Sequence, residues 1–415
     1  MGGGRYAERG VQDHRPLHRR AARASRGLGE VTRLPMSSPY PDESYRGLAA
    51  ELRERLQACL LPEAEGAEAR GHLPRAIWPA LAAEGWLDLP LAGEGFVRSA
   101  VFLEELGRLG YAGVRASIGV HAFMAASYLA WFGDDAQRER YLARMRDGTA
   151  VAALAITEDQ AGSDLSDLQC SAAASGDGWR VNGTKRFVSN GSQATLIVAL
   201  VRSNAQRHAL GGCSLLVVDA EAPGVTRTPL NLLGWRSADV CDIRFEDVAV
   251  PRENTLGKPD KAFTYLMRCL DFERMVAGML ALGGAGCSIR LMNRFVRQRV
   301  VRGAPLSANQ TIRHELVELI AELRLLRHFA YQLVQQYVGG RLGSGDASIL
   351  KLRSTELAKR AAHLCAQFHG ARGYLSESDV ARLYRDATAG TIAAGASELV
   401  REIIFDSVDS EALLD

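Results

Sequence analysis

Ala155-Ile-Thr-Glu-Asp-Gln-Ala-Gly-Ser-Asp164 stands where the chain changes texture. Before it, apolar residues recur at three- and four-residue spacing. After it, they come in short β-branched runs. The segment itself is a turn of small residues, rich in hydroxyls and backbone N–H groups. That composition suits an anion or the polar edge of a ring, and equally an ordinary loop with capping residues.

Upstream, from about 41 to 148, the periodicity predicts helices, clearest in Tyr45-Arg-Gly-Leu-Ala-Ala-Glu-Leu-Arg-Glu-Arg-Leu and over 76–84, 98–109, 117–132 and 135–146. Downstream, Leu196-Ile-Val-Ala-Leu-Val, Cys213-Ser-Leu-Leu-Val-Val-Asp and Val240-Cys-Asp-Ile-Arg-Phe read as strands, bounded by Asn-Gly, Gly-Gly and Pro-Gly turns. Helical period returns after Lys258, over 262–302, 309–339, 345–369 and 391–407. Helices, then strands, then helices, without βαβ alternation, argue against a Rossmann fold. Gly284-Ala-Gly286 follows a helix and is read as close helix packing rather than dinucleotide binding. The expected architecture is α+β. Its parts are a tail (1–35), an N-terminal helical domain (36–150), a middle β-barrel or sandwich domain (151–260) and a C-terminal four-helix bundle (261–415).

The 415 residues carry 50 Lys+Arg against 48 Asp+Glu, so no global nucleic-acid surface is expected. The charge is uneven: residues 1–35 hold eight arginines against Glu8, Asp13 and Glu30. No apolar run follows them, which argues against a secretory signal. A disordered arm for nucleic acid is an alternative to a tail that does little. Seven scattered cysteines without Cys-x-x-Cys spacing read as reduced thiols in a cytoplasmic protein. No Cys/His cluster suggests a metal. The longest apolar run, 275–287, is too short to span a bilayer and reads as a buried helix.

The 155–164 segment resembles the signature of the acyl-CoA dehydrogenases, with Asp159-Gln160 departing from the more usual continuation. The resemblance extends from about Pro41 to the end. Trp179-Arg-Val-Asn-Gly-Thr-Lys-Arg-Phe-Val-Ser-Asn-Gly191 is similar to the family's flavin-contacting strands, and Gly234-Trp-Arg-Ser with Phe245-Glu-Asp-Val-Ala-Val-Pro251 to the end of its β domain. The resemblance implies FAD held by Thr157, Ser163, Phe187, Val188 and Ser189. Phe187 replaces a common Trp, and its alternative role is core packing. Arg299 and Gln310, with Gln367 and Gly370 in Gln367-Phe-His-Gly-Ala-Arg-Gly-Tyr374, match positions that receive FAD from a neighbouring subunit, and Ala396 and Glu398 complete the set. A homodimer or homotetramer follows from that resemblance.

Many members of the family place a catalytic Glu in a C-terminal segment that here reads Ile392-Ala-Ala-Gly-Ala-Ser-Glu398, with Ala394 at the base position. An isovaleryl-CoA and long-chain type carries the Glu on an earlier helix instead, and Asp271-Phe-Glu-Arg274 puts Glu273 there. The implied reaction is FAD-dependent α,β-dehydrogenation of an acyl thioester on CoA or a carrier protein. Glu273 takes the α-proton and FAD the β-hydride, with Ser163, Asp271, Arg274, Ala394 and Gly395 around the thioester. A separate acceptor such as an electron-transfer flavoprotein would reoxidise the flavin. Glu273 could instead be a solvated carboxylate paired with Arg274. The rival functions are a flavin monooxygenase of the same fold, or a largely non-catalytic flavin-binding interaction protein with a basic arm.

Overall fold

The computed structural model describes residues 38–40 and 42–407. The expectations for residues 1–35, and for an arm there, lie outside these. Helices occupy the chain to Arg146, strands lie between Ala152 and Leu256, and helices resume at Ala262.

In the first part, α1 (Ser44–Arg70), α2 (Ile77–Ala83) and α3 (Phe96–Gly107) precede α4 (Ala112–Gly119), which runs through a π-helical turn, Val120–Ala125, into α5 (Ala126–Phe132). A π turn inserts one residue into the helical repeat and changes which side chains face a neighbour. Within it, His121 is fully buried between two elements. Its Nδ1 accepts from the Ala152 N–H at 3.0 Å, and its Nε2 lies 3.1 Å from the Met145 carbonyl. With both nitrogens engaged, the ring stays neutral, and burial pushes its pKa down to about 4.

The strands are β1 (Ala152–Ala155), β2 (Ser171–Ser175), β3 (Gly178–Val188), β4 (Leu196–Arg202), β5 (Cys213–Asp219), β6 (Val225–Pro229), β7 (Cys241–Pro251) and β8 (Thr255–Leu256). They form one sheet in the order β6-β7-β3-β2-β4-β5-β8, with β1 parallel to β4 and most other pairs antiparallel. β4 and β5 are buried on both faces. Leu196, Val198, Leu200, Leu215 and Val217 pack with α5, while Ile197, Val201, Leu216 and Val218 share a core with Trp179, Ile243 and Phe245 of the other strands. Two-sided burial explains why these strands read as unbroken apolar runs.

In the last part, α6 (Ala262–Gln298), α7 (Gln310–Val338), α8 (Ser344–His369) and α9 (Asp379–Gly390) are followed by α10 (Ser397–Ser407). Two expectations need correction. The helix expected over 262–302 stops at Gln298, because Arg299 turns extended (ψ 114°) and leads into a small hairpin, Val300–Val301 with Ala304–Pro305, whose turn is made by the left-handed Arg302 and Gly303. The helix expected over 391–407 begins only at Ser397, because Ala394 and Gly395 are left-handed too. By length and composition α6 could cross a membrane, but 72% of its apolar window is buried inside the protein. Its glycines do what the sequence suggested. A Cβ on Gly283 would run into the Glu104 carbonyl, and one on Gly107 into the Leu280 carbonyl, so α3 and α6 meet backbone to backbone.

Candidate active site

The 155–164 loop is built around Glu158. Its carboxylate is buried and pairs with the equally buried Lys185 ammonium at 2.7 Å. It also accepts from the Gln169 and Cys170 backbone N–H groups at 2.8 and 3.0 Å and from Gln160 Nε2 at 2.7 Å, while Lys185 donates to the Ile156 carbonyl at 3.0 Å. Two buried charges are tolerable only when satisfied this fully. The hydroxyl-rich motif thus has an ionic post at its centre, which its composition did not reveal.

Lys185 lies on β3, whose register with β7 slips between Lys185 and Val188. A bulge of this kind re-aims the residue inside it. Here it gives Phe187 a left-handed backbone (φ 57°) and leaves the residue 55% exposed, with the Arg186 guanidinium 5.0 Å from the ring centre. Phe187 is therefore not core packing. Val188 is buried in the β core, so only its backbone is available to a ligand. Beyond it, Asn190 (φ 62°) is clasped from three sides: Ser117 Oγ donates to its Oδ1 at 2.5 Å, and its Nδ2 donates to the Ser117 and Ala152 carbonyls at 3.0 and 3.2 Å. Ser189 is held between these two fixed points.

Phe187 and Ser189 share a cavity of about 180 Å³ with Glu273, Ala394, Trp235 and Arg115. Glu273 lies well inside α6 and is 5% exposed. Its Oε1 accepts from the Tyr128 hydroxyl at 2.9 Å. Burial raises its pKa to about 7, against smaller lowering effects from Tyr128 and Arg274. The alternative of a solvated Glu273 paired with Arg274 is thereby corrected: Arg274 instead donates to Asp271 at 2.9 Å, and Ser344 Oγ donates to the same carboxylate oxygen at 2.7 Å.

Ala394 closes the cavity from the turn before α10 with a left-handed backbone (φ 54°). Its N–H makes no hydrogen bond among the described residues. The next carbonyl, of Gly395, accepts from the buried Lys351 ammonium. Trp235, also left-handed (φ 54°), is fastened to Asp386: its N–H donates to Oδ1 at 2.9 Å and its indole N–H to the Asp386 carbonyl at 3.0 Å.

The other expected residues fall elsewhere. Asp271 lines a separate cleft with Trp131, Arg268 and Tyr337. Thr157 and Ser163 lie on the 155–164 loop outside the cavity, Thr157 half-buried and Ser163 exposed. Arg299, Gln310, Gln367 and Gly370 are all exposed; Phe295 and His369, stacked at 3.9 Å, bring the end of α6 beside the end of α8. Ala396 is half-buried, and Glu398 lines a groove of about 460 Å³ with Lys359, Arg360 and Arg401. Tyr128, Arg115 and Lys351 were missed. Only Arg115 left a trace, as a single charge in the otherwise apolar run Ala112-Gly-Val-Arg-Ala-Ser-Ile-Gly119.

Known proteins carry the same organisation. Residues 42–149, 153–248 and 260–408 match the acyl-CoA dehydrogenase N-terminal, middle and C-terminal domains. The long-chain specific acyl-CoA dehydrogenase of Mus musculus is 30% identical over 369 residues, 87% of this chain and 85% of that protein. The 2-methylacyl-CoA dehydrogenase of Solanum tuberosum is 32% identical over 311 residues, 75% of each. The crystal structure of an acyl-CoA dehydrogenase from Geobacillus kaustophilus superposes with a TM-score of 0.85 at 34% identity, covering 90% of this chain and all of that one. The chain belongs to the acyl-CoA dehydrogenase family, the flavoprotein oxidoreductases that dehydrogenate acyl thioesters at a CH–CH bond.

Proposed function

We propose that Glu273 is the base that removes the α-proton of an acyl thioester in the cavity it shares with Phe187, Ser189 and Ala394. The observation that carries this is its position: a buried carboxylate, raised to about 7 by desolvation, facing a cavity whose other candidate base position holds an alanine. A base near neutrality balances availability against strength. The Ala394 N–H, without a hydrogen-bond partner among the described residues, suits the thioester carbonyl oxygen, where negative charge develops as the proton leaves. Lys351, holding the Gly395 carbonyl, keeps that turn in shape.

The residues fit FAD. Phe187 offers an exposed aromatic face at the cavity, and the Ser189 hydroxyl beside it has no protein partner among the described residues. Bound FAD would supply the acceptor for the β-hydride. Arg299, Gln310, Gln367 and Gly370, exposed near one end of the helical bundle, support a reading in which a neighbouring subunit's cofactor is met there, in a homodimer or homotetramer. An electron-transfer flavoprotein is the proposed acceptor. Seven free cysteines support a reducing, cytoplasmic setting.

The test is anaerobic mixing of the FAD-loaded protein with a panel of acyl thioesters. Substrate-dependent bleaching of the flavin is expected, and Glu273→Gln should slow it by about 10²–10⁴-fold while FAD stays bound. Full activity in that variant would remove Glu273 from the mechanism. Bleaching only with an added reductase and NAD(P)H would point to oxygenase chemistry instead.

A further inference from the structure

Two departures from the family pattern, Asp159 in the 155–164 loop and Phe187 on β3, meet at one residue. Arg186 donates from Nη1 to Asp159 Oδ1 at 2.6 Å and from Nε to Asp242 Oδ1 at 3.2 Å. Its backbone N–H donates to the Thr157 carbonyl at 2.8 Å. Its guanidinium lies 5.0 Å from the centre of the Phe187 ring. One residue thus ties the motif loop, β3 and β7 to the aromatic face at the cavity.

The backbone explains why such a tie is needed. Lys185 pairs with Ile243 and Val188 with Cys241, so Arg186 and Phe187 together face the single residue Asp242 across the bulge. The Phe187 N–H, displaced from the ladder, donates to the Asp242 carboxylate at 3.4 Å. That carboxylate therefore holds both the backbone of Phe187 and the guanidinium beside its ring. Phe187 is left-handed and more than half exposed, so neither backbone preference nor burial fixes the ring. A guanidinium is attracted to an aromatic face and stacks on it. Two carboxylates on one guanidinium leave no net positive charge to offer a ligand, so the group holds a position and supplies no charge.

We infer that Arg186 is a positioning residue for the cofactor: anchored by Asp159 and Asp242, its guanidinium fixes the Phe187 ring as a contact surface for the flavin. The inference rests on the reading of Phe187 as a flavin contact. A phenyl ring has less area of its own to pack than the indole common at this position, and the clamp supplies the order that the larger ring would gain from packing. Fixing the ring before the cofactor arrives removes an ordering cost from binding, so the effect falls on FAD affinity.

The experiment follows release of FAD from the loaded protein on dilution, read by flavin fluorescence, in Arg186→Met, Phe187→Ala and the double variant. Methionine keeps an unbranched stem on the strand and removes the guanidinium. Arg186→Met should weaken FAD binding roughly 3- to 30-fold, and Phe187→Ala should weaken it at least as much. The double variant should bind no more weakly than Phe187→Ala alone, because the arginine acts through the ring; a merely structural role would make the two losses multiply. The flavin midpoint potential should stay unchanged in Arg186→Met. Asp159→Asn, which loosens one anchor only, should show a smaller loss that also vanishes without the ring. Wild-type affinity in Arg186→Met, multiplying losses in the double variant, or a moved potential would each overturn the inference. Wild-type affinity in Phe187→Ala would remove Phe187 from the flavin site as well, so the two failures are distinguishable.

Discussion

The Tyr128 hydroxyl donates to the Glu273 carboxylate at 2.9 Å, and both side chains are buried. The bond joins α5 to α6 behind the cavity that Glu273 lines. Desolvation favours the protonated acid, while the phenol favours the carboxylate. In the proposed role of Glu273 as the base, its reactivity is the balance of the two.

That balance predicts a pH profile. The rate of flavin bleaching should rise through a single step near pH 7 as Glu273 ionises. Tyr128→Phe removes a donor to the carboxylate, so the step should move to higher pH and the rate at pH 7 should fall. Stopped-flow measurements from pH 5.5 to 9 would check both; an unmoved step would show that the hydroxyl does not tune the base.

The same carboxyl predicts a dependence of stability on pH. Its folded pKa lies above its ordinary value of 4.5, so between about 4.5 and 7 the folded chain holds a proton that the unfolded chain has released. Stability from this group is present below that window and is lost as pH rises through it. Glu273→Gln should therefore gain more stability relative to the wild type at pH 8 than at pH 5, measured by urea unfolding.

Glu158→Gln should be among the most damaging single changes in the β domain. It strands the buried Lys185 ammonium and weakens three other contacts. Breaking a buried pair by removing one partner costs about 3–5 kcal/mol. The loss should appear in urea unfolding, with bound flavin falling in parallel, because Phe187 follows Lys185 on the same strand and Ser189 lies in the turn just after it.

Gly283→Ala tests the backbone contact of α3 with α6. The added methyl meets the Glu104 carbonyl, which neither helix can withdraw without shifting. Overpacking of this sort costs about 1–3 kcal/mol. Gly303→Ala meets nothing nearby, but its backbone is left-handed (φ 78°), so it should cost less, about 1 kcal/mol. Thermal unfolding of the two variants would rank them.

The fold was legible because local signals agreed with one another. Period separated helices from strands, Gly-rich turns bounded the strands, and the 155–164 segment carried the family resemblance. The two misjudged helix boundaries both lie beside turns that break the helical period. Arg302 and Ala394 take left-handed backbones without being glycine, which composition cannot signal. Glu273 and Ala394 were readable as a complementary pair. Tyr128 was not, because its role depends on a contact across 145 positions of sequence. Lys351 looked like any lysine on an amphipathic helix until its ammonium met the Gly395 carbonyl.

Phe187, Trp235 and Ala394 all line the cavity, and all three have φ near 55° without being glycine. Each such conformation carries a penalty of about 1–3 kcal/mol that the surrounding packing must overcome. A screen for heat-resistant variants of this protein would accordingly find a gain in Ala394→Gly, which gives up no large side chain, whereas Trp235 and Phe187 are held by contacts that a glycine would lose. That replacement would exchange a fixed backbone contact for freedom of movement, and turnover should decline as the melting temperature climbs. In this chain, durability and chemistry draw on the same few dihedral angles.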